Sequence, residues 1–216
     1  MAKNLLTDRQ RTKEDHDDDS LFYSQPRFAY HLDEAFRSRL SKLYSDYILD
    51  DSVVLDLMSS WVSHLPNNKK YKQVIGHGMN QAELERNKQL DSFWIQNLNL
   101  NQKLPFDDST IDVCLMAAAW QYLQYPEDIA AELRRIIKRN GLLIVSFSNR
   151  AFWSKTPLIW RDGSDSQHIN YIKAILTSEG WSKFTVVAET TSAKGIRSFF
   201  GQIGDPFFSI IAINQP

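Results

Sequence analysis

The residues best placed to do chemistry follow the first strongly apolar segment of the chain. Residues 53–66, VVLDLMSSWVSHLP, read as a buried strand that contains the acid Asp56 and runs into a turn. In nucleotide-binding α/β folds, the turn at this place carries glycines that let the backbone approach a ligand. Here the turn is Met58-Ser59-Ser60-Trp61, which contains no glycine. Two alternatives follow: a ligand site of altered shape, or a turn that packs Met58 and Trp61 into its own pocket.

Histidine and cysteine offer few further catalytic groups. His64 follows the turn and could act as a general base if its pKa lay near neutrality, although a surface or capping histidine beside Pro66 is the favoured alternative. The histidines show neither H-E-x-x-H spacing nor cysteine partners, so no metal site is predicted. Cys114 lies in an apolar run and is predicted to be a buried, inert thiol.

The composition argues against several function classes. The 216 residues carry a net charge of -1, with 43% hydrophobic and 24% charged residues. This is ordinary for a globular protein, and no basic field favours nucleic acid or an anionic membrane as partner. The chain shows no signal segment and no apolar stretch of bilayer length, and its single cysteine fits a reducing compartment. We therefore expect a cytoplasmic protein without a membrane span; its oligomeric state stays open.

The chain divides into three regions. Residues 1–20 are almost all polar and predict a disordered tail, in which the run Asp17-Asp18-Asp19 is solvated rather than bound to a cation. Residues 21–50 predict a helical segment, because apolar residues from Phe36 to Ile48 recur at helical spacing. Residues 51–216 predict one domain in which strands and helices alternate.

The alternation within residues 51–216 determines the predicted fold class. Helices are predicted to start at Pro126 and near residue 165, and at Gln81 with Asn80 as cap and Glu83 reaching back to it. The Pro126 helix is predicted to run to Arg139. Nearly continuous apolar strands between helices predict a doubly wound, mostly parallel seven-stranded α/β sheet, with helices on both faces and an antiparallel last strand. The predicted strands are 53–57, 74–78, 92–98, 111–119, 141–148, 184–189 and 206–213.

Residues 104–146 carry a more specific pattern. LPFDDSTIDVCLMAAAWQYLQYPEDIAAELRRIIKRNGLLIVS resembles the class I S-adenosylmethionine-dependent methyltransferases of the type 11 group. In that family L-P-F-x-D-x-x-F-D precedes the fourth strand, and E-x-x-R-x-L-K-P-G-G precedes the fifth. The chain departs from this pattern at Ile111, Ile137, Arg139 and Asn140. The matching residues are Leu104, Pro105, Phe106, Asp112, Glu132, Arg135, Lys138 and Gly141.

The resemblance implies a Rossmann-like methyltransferase fold with S-adenosyl-L-methionine as cofactor. It places the family's loop glycines at Met58, Ser60 and Val62, so this chain is a divergent branch without the glycine-rich loop. It also places the family's ribose-binding acid at Gly78, with Asn80 or Glu83 as nearby substitutes. The cofactor-binding residues that it implies are Asp56, Met58, Ser59, Ser60, Gly76, Gly78, Met79, Asn97, Leu98 and Ala117.

The resemblance also suggests where a substrate would bind. Segments such as residues 21–50 often form a lid in relatives, so Tyr30 and His31 could close over the pocket, although packing onto the sheet is the alternative. Trp120 and Tyr122 follow the fourth strand, where relatives contact substrate or pack a core. The weak candidates for catalysis are His64 and His31.

Two functions follow from these observations. One is an S-adenosylmethionine-dependent methyltransferase acting on a small, apolar molecule. The other is a non-catalytic binding or regulatory protein that keeps the methyltransferase fold, which the altered loop and Gly78 favour. A nicotinamide oxidoreductase is a distant third, because the chain lacks G-x-G-x-x-G after the first strand.

Overall fold

The protein forms one seven-stranded sheet flanked by helices, as the sequence predicts. The computed structural model describes residues 5–189 and 204–215. The strand order is β3-β2-β1-β4-β5-β7-β6, in which β1 to β5 run parallel and β7 lies antiparallel between β5 and β6. The strands are β1 Val53–Asp56, β2 Gln73–Gly78, β3 Ser92–Ile95, β4 Ile111–Ala117, β5 Ile137–Phe147, β6 Lys183–Glu189 and β7 Phe207–Ile213.

The helices begin where the sequence offers capping groups. Asp33 accepts a hydrogen bond from the Phe36 amide at the start of one helix, and Asn80 accepts one from the Glu83 amide at the start of another. Pro126 opens a third helix in its first turn. The helices are α1 Asp8–Arg11, α2 Asp19–Phe22, α3 Glu34–Tyr47, α4 Gln81–Arg86, α5 Pro126–Ile136, α6 Leu158–Arg161 and α7 Asp165–Ser178.

The sheet separates two hydrophobic cores. Neighbouring residues of β1 face opposite layers: Val54 packs with α3, whereas Leu55 belongs to the core formed with α5 and α7. Helices therefore cover both faces, which explains why the central strands are apolar on both sides. Among the described residues, none of the helices combines the length and the apolarity needed to cross a bilayer.

The residues that match the methyltransferase pattern hold the chain before β4. Arg135 donates hydrogen bonds to the backbone oxygens of Phe106 (2.7 Å) and Leu104 (3.2 Å) and forms an ion pair with Glu132 (2.7 Å). Glu132 in turn accepts a hydrogen bond from the Leu104 amide at 2.8 Å. Lys138 pairs with Asp112 at 2.8 Å. These contacts stabilise the fold between α5 and the start of β4.

The boundary between α5 and β5 differs from the predicted one. The helix ends at Ile136 and not at Arg139, because Ile137 already pairs with Ile111 of β4. The side-chain amide of Asn214 donates to the backbone oxygens of Arg134 (3.0 Å) and Ile137 (2.6 Å). A residue distant in sequence thus provides hydrogen bonds to carbonyl groups at the end of the helix. β3 is also shorter than predicted and ends at Ile95.

The prediction of a disordered tail over residues 1–20 is wrong for residues 5–20, and residues 1–4 lie outside the described residues. We call residues 5–33 the N-terminal segment. Arg11 forms two hydrogen bonds to Glu127, at 2.9 and 2.8 Å, and their side chains are 9% and 2% exposed. Composition could not reveal this docking, because the partner acid lies more than a hundred residues away.

We predict that Glu127→Ala lowers the free energy of unfolding by about 3–5 kcal/mol, because it leaves the Arg11 charge buried without a partner. Urea denaturation measures this loss. The matched control is Asp46→Ala, which breaks the exposed pair between Lys42 and Asp46 and should change the stability by less than about 1 kcal/mol. A Glu127→Ala effect as small as that of the control would show that the ion pair between Arg11 and Glu127 does not stabilise the docked N-terminal segment.

Candidate functional site

A cavity of about 530 Å³ lies at the carboxyl ends of β1, β2 and β4. Its walls are the turn after β1, the start of α4, the chain after β3 and part of the N-terminal segment. The volume lies in the range of pockets that bind small molecules, and this edge of an open α/β sheet is where such folds bind ligands.

The turn after β1 is fixed to β2 by His77. The Met58 amide donates to Nδ1 of His77 at 3.1 Å, and the Ser59 amide donates to the His77 backbone oxygen at 2.6 Å. Nε2 of His77 lies 3.0 Å from the Gln96 backbone oxygen and must therefore carry the proton. Burial lowers the pKa of His77 to about 4, which keeps the ring in the neutral form that accepts from Met58. The sequence shows this residue only as a lone histidine in an apolar strand.

Met58 adopts the left-handed backbone that family members reach with glycine, with φ of 58°. A non-glycine residue in this region costs about 1–2 kcal/mol. The Met58 side chain packs partly against the main core, and the Trp61 indole donates to the Ala29 backbone oxygen at 3.3 Å. The turn thus adopts a left-handed backbone at Met58 without glycine, and Met58 and Trp61 both contribute to the wall of the cavity.

Asp56 holds the turn from below. Its carboxylate accepts a hydrogen bond from the Ser59 hydroxyl at 2.5 Å, and the residue is 4% exposed. Burial raises the pKa of Asp56 to about 6, against the opposing effect of hydrogen bonds from Ser59 and Ser63. Asp56 therefore positions the turn. The Ser59 hydroxyl hydrogen is used in this contact, so it is not available to a ligand.

The absence of an acid at Gly78 follows from the shape of the turn. A Cβ atom at residue 78 would lie 2.8 Å from the Ser59 backbone oxygen, which is closer than real contacts allow. Asn80 cannot substitute for the acid, because its amide donates to the backbone oxygens of Tyr23 (2.9 Å) and Ser24 (3.1 Å) and its oxygen caps α4.

Glu83 supplies a carboxylate beside the same cavity. It does not reach back to the start of α4, contrary to the prediction. It accepts hydrogen bonds from the Arg27 amide at 2.6 Å and from the Ser60 hydroxyl at 2.6 Å. A carboxylate has about four acceptor sites, so Glu83 can still accept from a ligand.

The N-terminal segment contacts the polar residues after β3. The Asn97 amide donates to Asp18 at 3.3 Å, and the Asn99 amide donates to Asp19 at 2.9 Å. Asp19 is buried and forms ion pairs with Lys13 at 2.6 Å and Lys155 at 3.5 Å. Asp19 is thus internal and compensated, whereas Asp17 and Asp18 are exposed, and the segment forms one wall of the cavity.

Aromatic side chains form the wall on the other side of the turn. The Tyr30 ring lies 4.7 Å from the Trp61 ring and 6.4 Å from the His64 ring. His31 meets the Phe152 ring edge to face at 5.3 Å, and Tyr122 stacks on Phe152 at 6.0 Å. These contacts place Tyr30 and His31 over the pocket.

The pKa values of both candidate bases are lowered by burial. Burial, together with the charge of Arg37, lowers the pKa of His64 to about 4. Burial also lowers the pKa of His31. Both rings are neutral at pH 7, but a base with a pKa of about 4 takes up a proton weakly there.

Two predicted site residues do not line the cavity. A Cβ at Gly76 would lie 2.4 Å from a Leu90 methyl group, so this glycine allows packing under the sheet. Trp120 is 1% exposed and belongs to the main core. The remaining predicted residues line the cavity: Asp56, Met58, Ser59, Ser60, Gly78, Met79, Asn97, Leu98, Ala117, Tyr30, His31, His64 and Tyr122. Within residues 5–189 and 204–215, no group of three or more metal-binding side chains could hold a metal ion.

Comparison with known proteins assigns the fold to a family. Residues 58–145 match the type 11 family model, described as a methyltransferase domain. The structure is similar to that of an S-adenosylmethionine-dependent methyltransferase from Thermotoga maritima, with 17% identity, a TM-score of 0.58, and coverage of 84% of this chain and 90% of that chain. A search of curated protein sequences finds no match.

Two further solved structures share the fold. One is the complex between the Haloferax volcanii Trm112 methyltransferase activator and a methyltransferase, at 15% identity and a TM-score of 0.60, covering 85% of this chain and 91% of that chain. The other is the [4+2]-cyclase SpnF, at 14% identity and a TM-score of 0.55, covering 82% and 81%. With the strand order, these likenesses show that the chain has the fold of the class I S-adenosylmethionine-dependent methyltransferases, and residues 58–145 match a methyltransferase domain.

We predict that the stability conferred by His77 decreases as the pH is lowered. An unfolded histidine takes up a proton near pH 6.5, whereas folded His77 does so only near pH 4. Acidification from pH 7.5 to 5 should therefore cost about 2 kcal/mol through this residue. The test compares wild type with His77→Asn, which keeps an acceptor for Met58 but does not titrate.

Urea denaturation at both pH values gives the result. The variant should be less stable at pH 7.5, and its deficit should shrink at pH 5. The difference between the two proteins cancels the opposite contribution of Asp56, whose raised pKa adds stability as the pH falls. A deficit that is equal at both pH values would contradict the buried neutral histidine.

Proposed function

We propose that the protein binds S-adenosyl-L-methionine in this cavity and transfers its methyl group to a small molecule. The observation that carries the proposal is the position of the cavity, which lies at the carboxyl ends of β1, β2 and β4 beside the turn that follows β1. In this superfamily fold the cofactor occupies the same edge of the sheet. The bound cofactor would supply an electrophilic methyl group on sulfur.

The residues around the cavity fit the cofactor in a modified way. Ser60 and the backbone of Met58 lie where the methionyl part would pass, beside the small side chain of Ala117. Glu83, and not a residue at the end of β2, would accept the ribose hydroxyls. Asn97 and Leu98 would hold the adenine. The Asn97 side-chain oxygen accepts from the Asn99 backbone amide at 2.9 Å and keeps a second acceptor site for the adenine amino group.

The protein's main contribution to the reaction would be alignment. Methyl transfer is an in-line displacement, so a rigid turn and a closed wall of aromatic side chains can accelerate it by orientation. The low pKa of His64 argues against a strong general base there at neutral pH. We therefore expect a substrate whose nucleophile needs little deprotonation, held between Tyr30, Tyr122 and the turn.

A second function is a binding protein that keeps the fold without methyl transfer. The observation that favours it is that several polar groups of the cavity already have partners within the chain. Asn80, Asn99 and one amide hydrogen of Asn97 form hydrogen bonds to the N-terminal segment, so they are not available to a cofactor. The name of the cyclase SpnF shows that a protein of this fold can be known for another activity. Cofactor binding without methyl transfer, or no cofactor binding, would support this alternative.

We predict that Glu83→Gln weakens binding of S-adenosylhomocysteine about tenfold, because the ribose loses a charged acceptor. Calorimetric titration of the purified protein measures the affinity. The matched control is Glu85→Gln on the same helix, whose carboxylate accepts from Gln81 at 2.7 Å and should leave the affinity unchanged. Wild-type protein that fails to bind at millimolar ligand would overturn the proposed function, and equal affinities of wild type and Glu83→Gln would overturn the role of Glu83.

A further inference from the structure

Arg37 lines the cavity and has no acidic partner among the described residues. It lies in the first turns of α3, and its guanidinium carbon stacks 3.7 Å from the centre of the Tyr30 ring. Its Nε atom is buried and lacks a hydrogen-bond partner among the described residues. A buried donor without a partner is costly, which indicates a group that a ligand would satisfy.

The other charged groups around the cavity are engaged. Arg27 forms no ion pair among the described residues, but its guanidinium donates to the Phe22 backbone oxygen at 2.8 Å and stacks on the Phe22 ring at 4.5 Å. Arg150 pairs with Asp205, and Asp19 pairs with Lys13 and Lys155. Glu83 accepts hydrogen bonds from the turn and from the Arg27 amide. Within the described part of the chain, no carboxylate forms an ion pair with Arg37. An anionic ligand would therefore meet one uncompensated guanidinium at this place.

The surroundings of Arg37 suit a carboxylate attached to an apolar body. Tyr30 and Trp61 provide adjacent ring faces, and the neutral His64 can donate one hydrogen bond without adding charge. Arg37, Trp61 and His64 also line a second groove that adjoins the cavity. Arg37 thus stands where a molecule could enter the cavity from outside.

We propose that Arg37 determines substrate specificity by binding a carboxylate group of the methyl acceptor. This inference rests on the proposed function for the identity of the ligand as substrate. It refines the apolar molecule expected from the sequence into an acid with an apolar or aromatic body. A planar guanidinium binds a carboxylate with two parallel hydrogen bonds, and its stacking on Tyr30 holds it in place for this task.

The cofactor has a carboxylate of its own, but the contacts of Arg37 favour the substrate. Arg37 stacks on Tyr30 and its charge lowers the pKa of His64, and both of these rings belong to the aromatic wall. The residues proposed for the methionyl part are Ser60, Met58 and Ala117, which lie in the turn after β1 and at the end of β4.

The test compares a carboxylate probe with its neutral isostere. Dissociation constants of 3-phenylpropionate and 3-phenylpropanamide are measured by ligand-observed NMR on wild type and Arg37→Gln. The variant should bind the carboxylate about tenfold more weakly and the amide equally well, because only the charged ligand loses its partner. Arg37→Lys keeps the positive charge but loses the planar guanidinium that makes two parallel hydrogen bonds. Its affinity for the carboxylate should lie between those of wild type and Arg37→Gln.

The matched control is Arg39→Gln, which removes a positive charge from the same helix. Arg39 pairs with Glu189 at 3.1 Å and does not line the cavity. Its substitution should therefore leave the dissociation constants of both probes unchanged. Equal weakening of carboxylate and amide by Arg37→Gln would indicate a structural role and overturn the proposal. Failure of the wild type to bind 3-phenylpropionate at millimolar concentration would also overturn it.

A second pair of ligands separates substrate from cofactor. S-adenosylhomocysteine carries the amino-acid carboxylate, and 5′-methylthioadenosine lacks it. Arg37→Gln should leave both affinities unchanged; a selective loss for S-adenosylhomocysteine would assign Arg37 to the cofactor and overturn the substrate assignment. If neither nucleoside binds the wild type while the carboxylate probe still depends on Arg37, the proposed function fails but Arg37 remains an anion site.

Discussion

The structure of the cleft depends on the close contact between the turn after β1 and the end of β2. His77 accepts from the Met58 amide, its backbone oxygen accepts from Ser59, and Gly78 leaves room for the Ser59 backbone oxygen. A glycine-free turn and a missing acid at residue 78 look like two separate losses in the sequence. They are one change, because the turn occupies the space in which a side chain at residue 78 would start.

Because of this contact, the polar groups of the cleft come mainly from α4 and the N-terminal segment and not from the end of β2. Glu83 on α4 supplies a second carboxylate beside the turn, in addition to Asp56, and the N-terminal segment brings Asp18 and Asp19 to the amides after β3. Two buried lysines, Lys13 and Lys155, compensate the acids and hold the segment in place. The site is therefore built by parts of the chain that are distant in sequence.

The sequence predicts the fold well because its signals are local or periodic. Apolar strands, the Asn80 cap and the Pro126 helix start each depend on neighbouring residues. The methyltransferase pattern around Glu132 and Arg135 also describes local packing. Long-range partners carry no such signal: Arg11 meets Glu127, and Asn214 ends α5. The role of His77 and the docking of residues 5–20 were therefore not predictable from sequence.

The central claim is that this reshaped cleft binds S-adenosyl-L-methionine, as proposed above. Hydrogen–deuterium exchange of the full chain with and without saturating S-adenosylhomocysteine tests it most directly. The account predicts slower exchange in the turn at residues 58–64, at the start of α4 and in residues 96–99, with added protection of residues 18–31 as the wall closes. Unchanged exchange in all four places at millimolar ligand would contradict the claim.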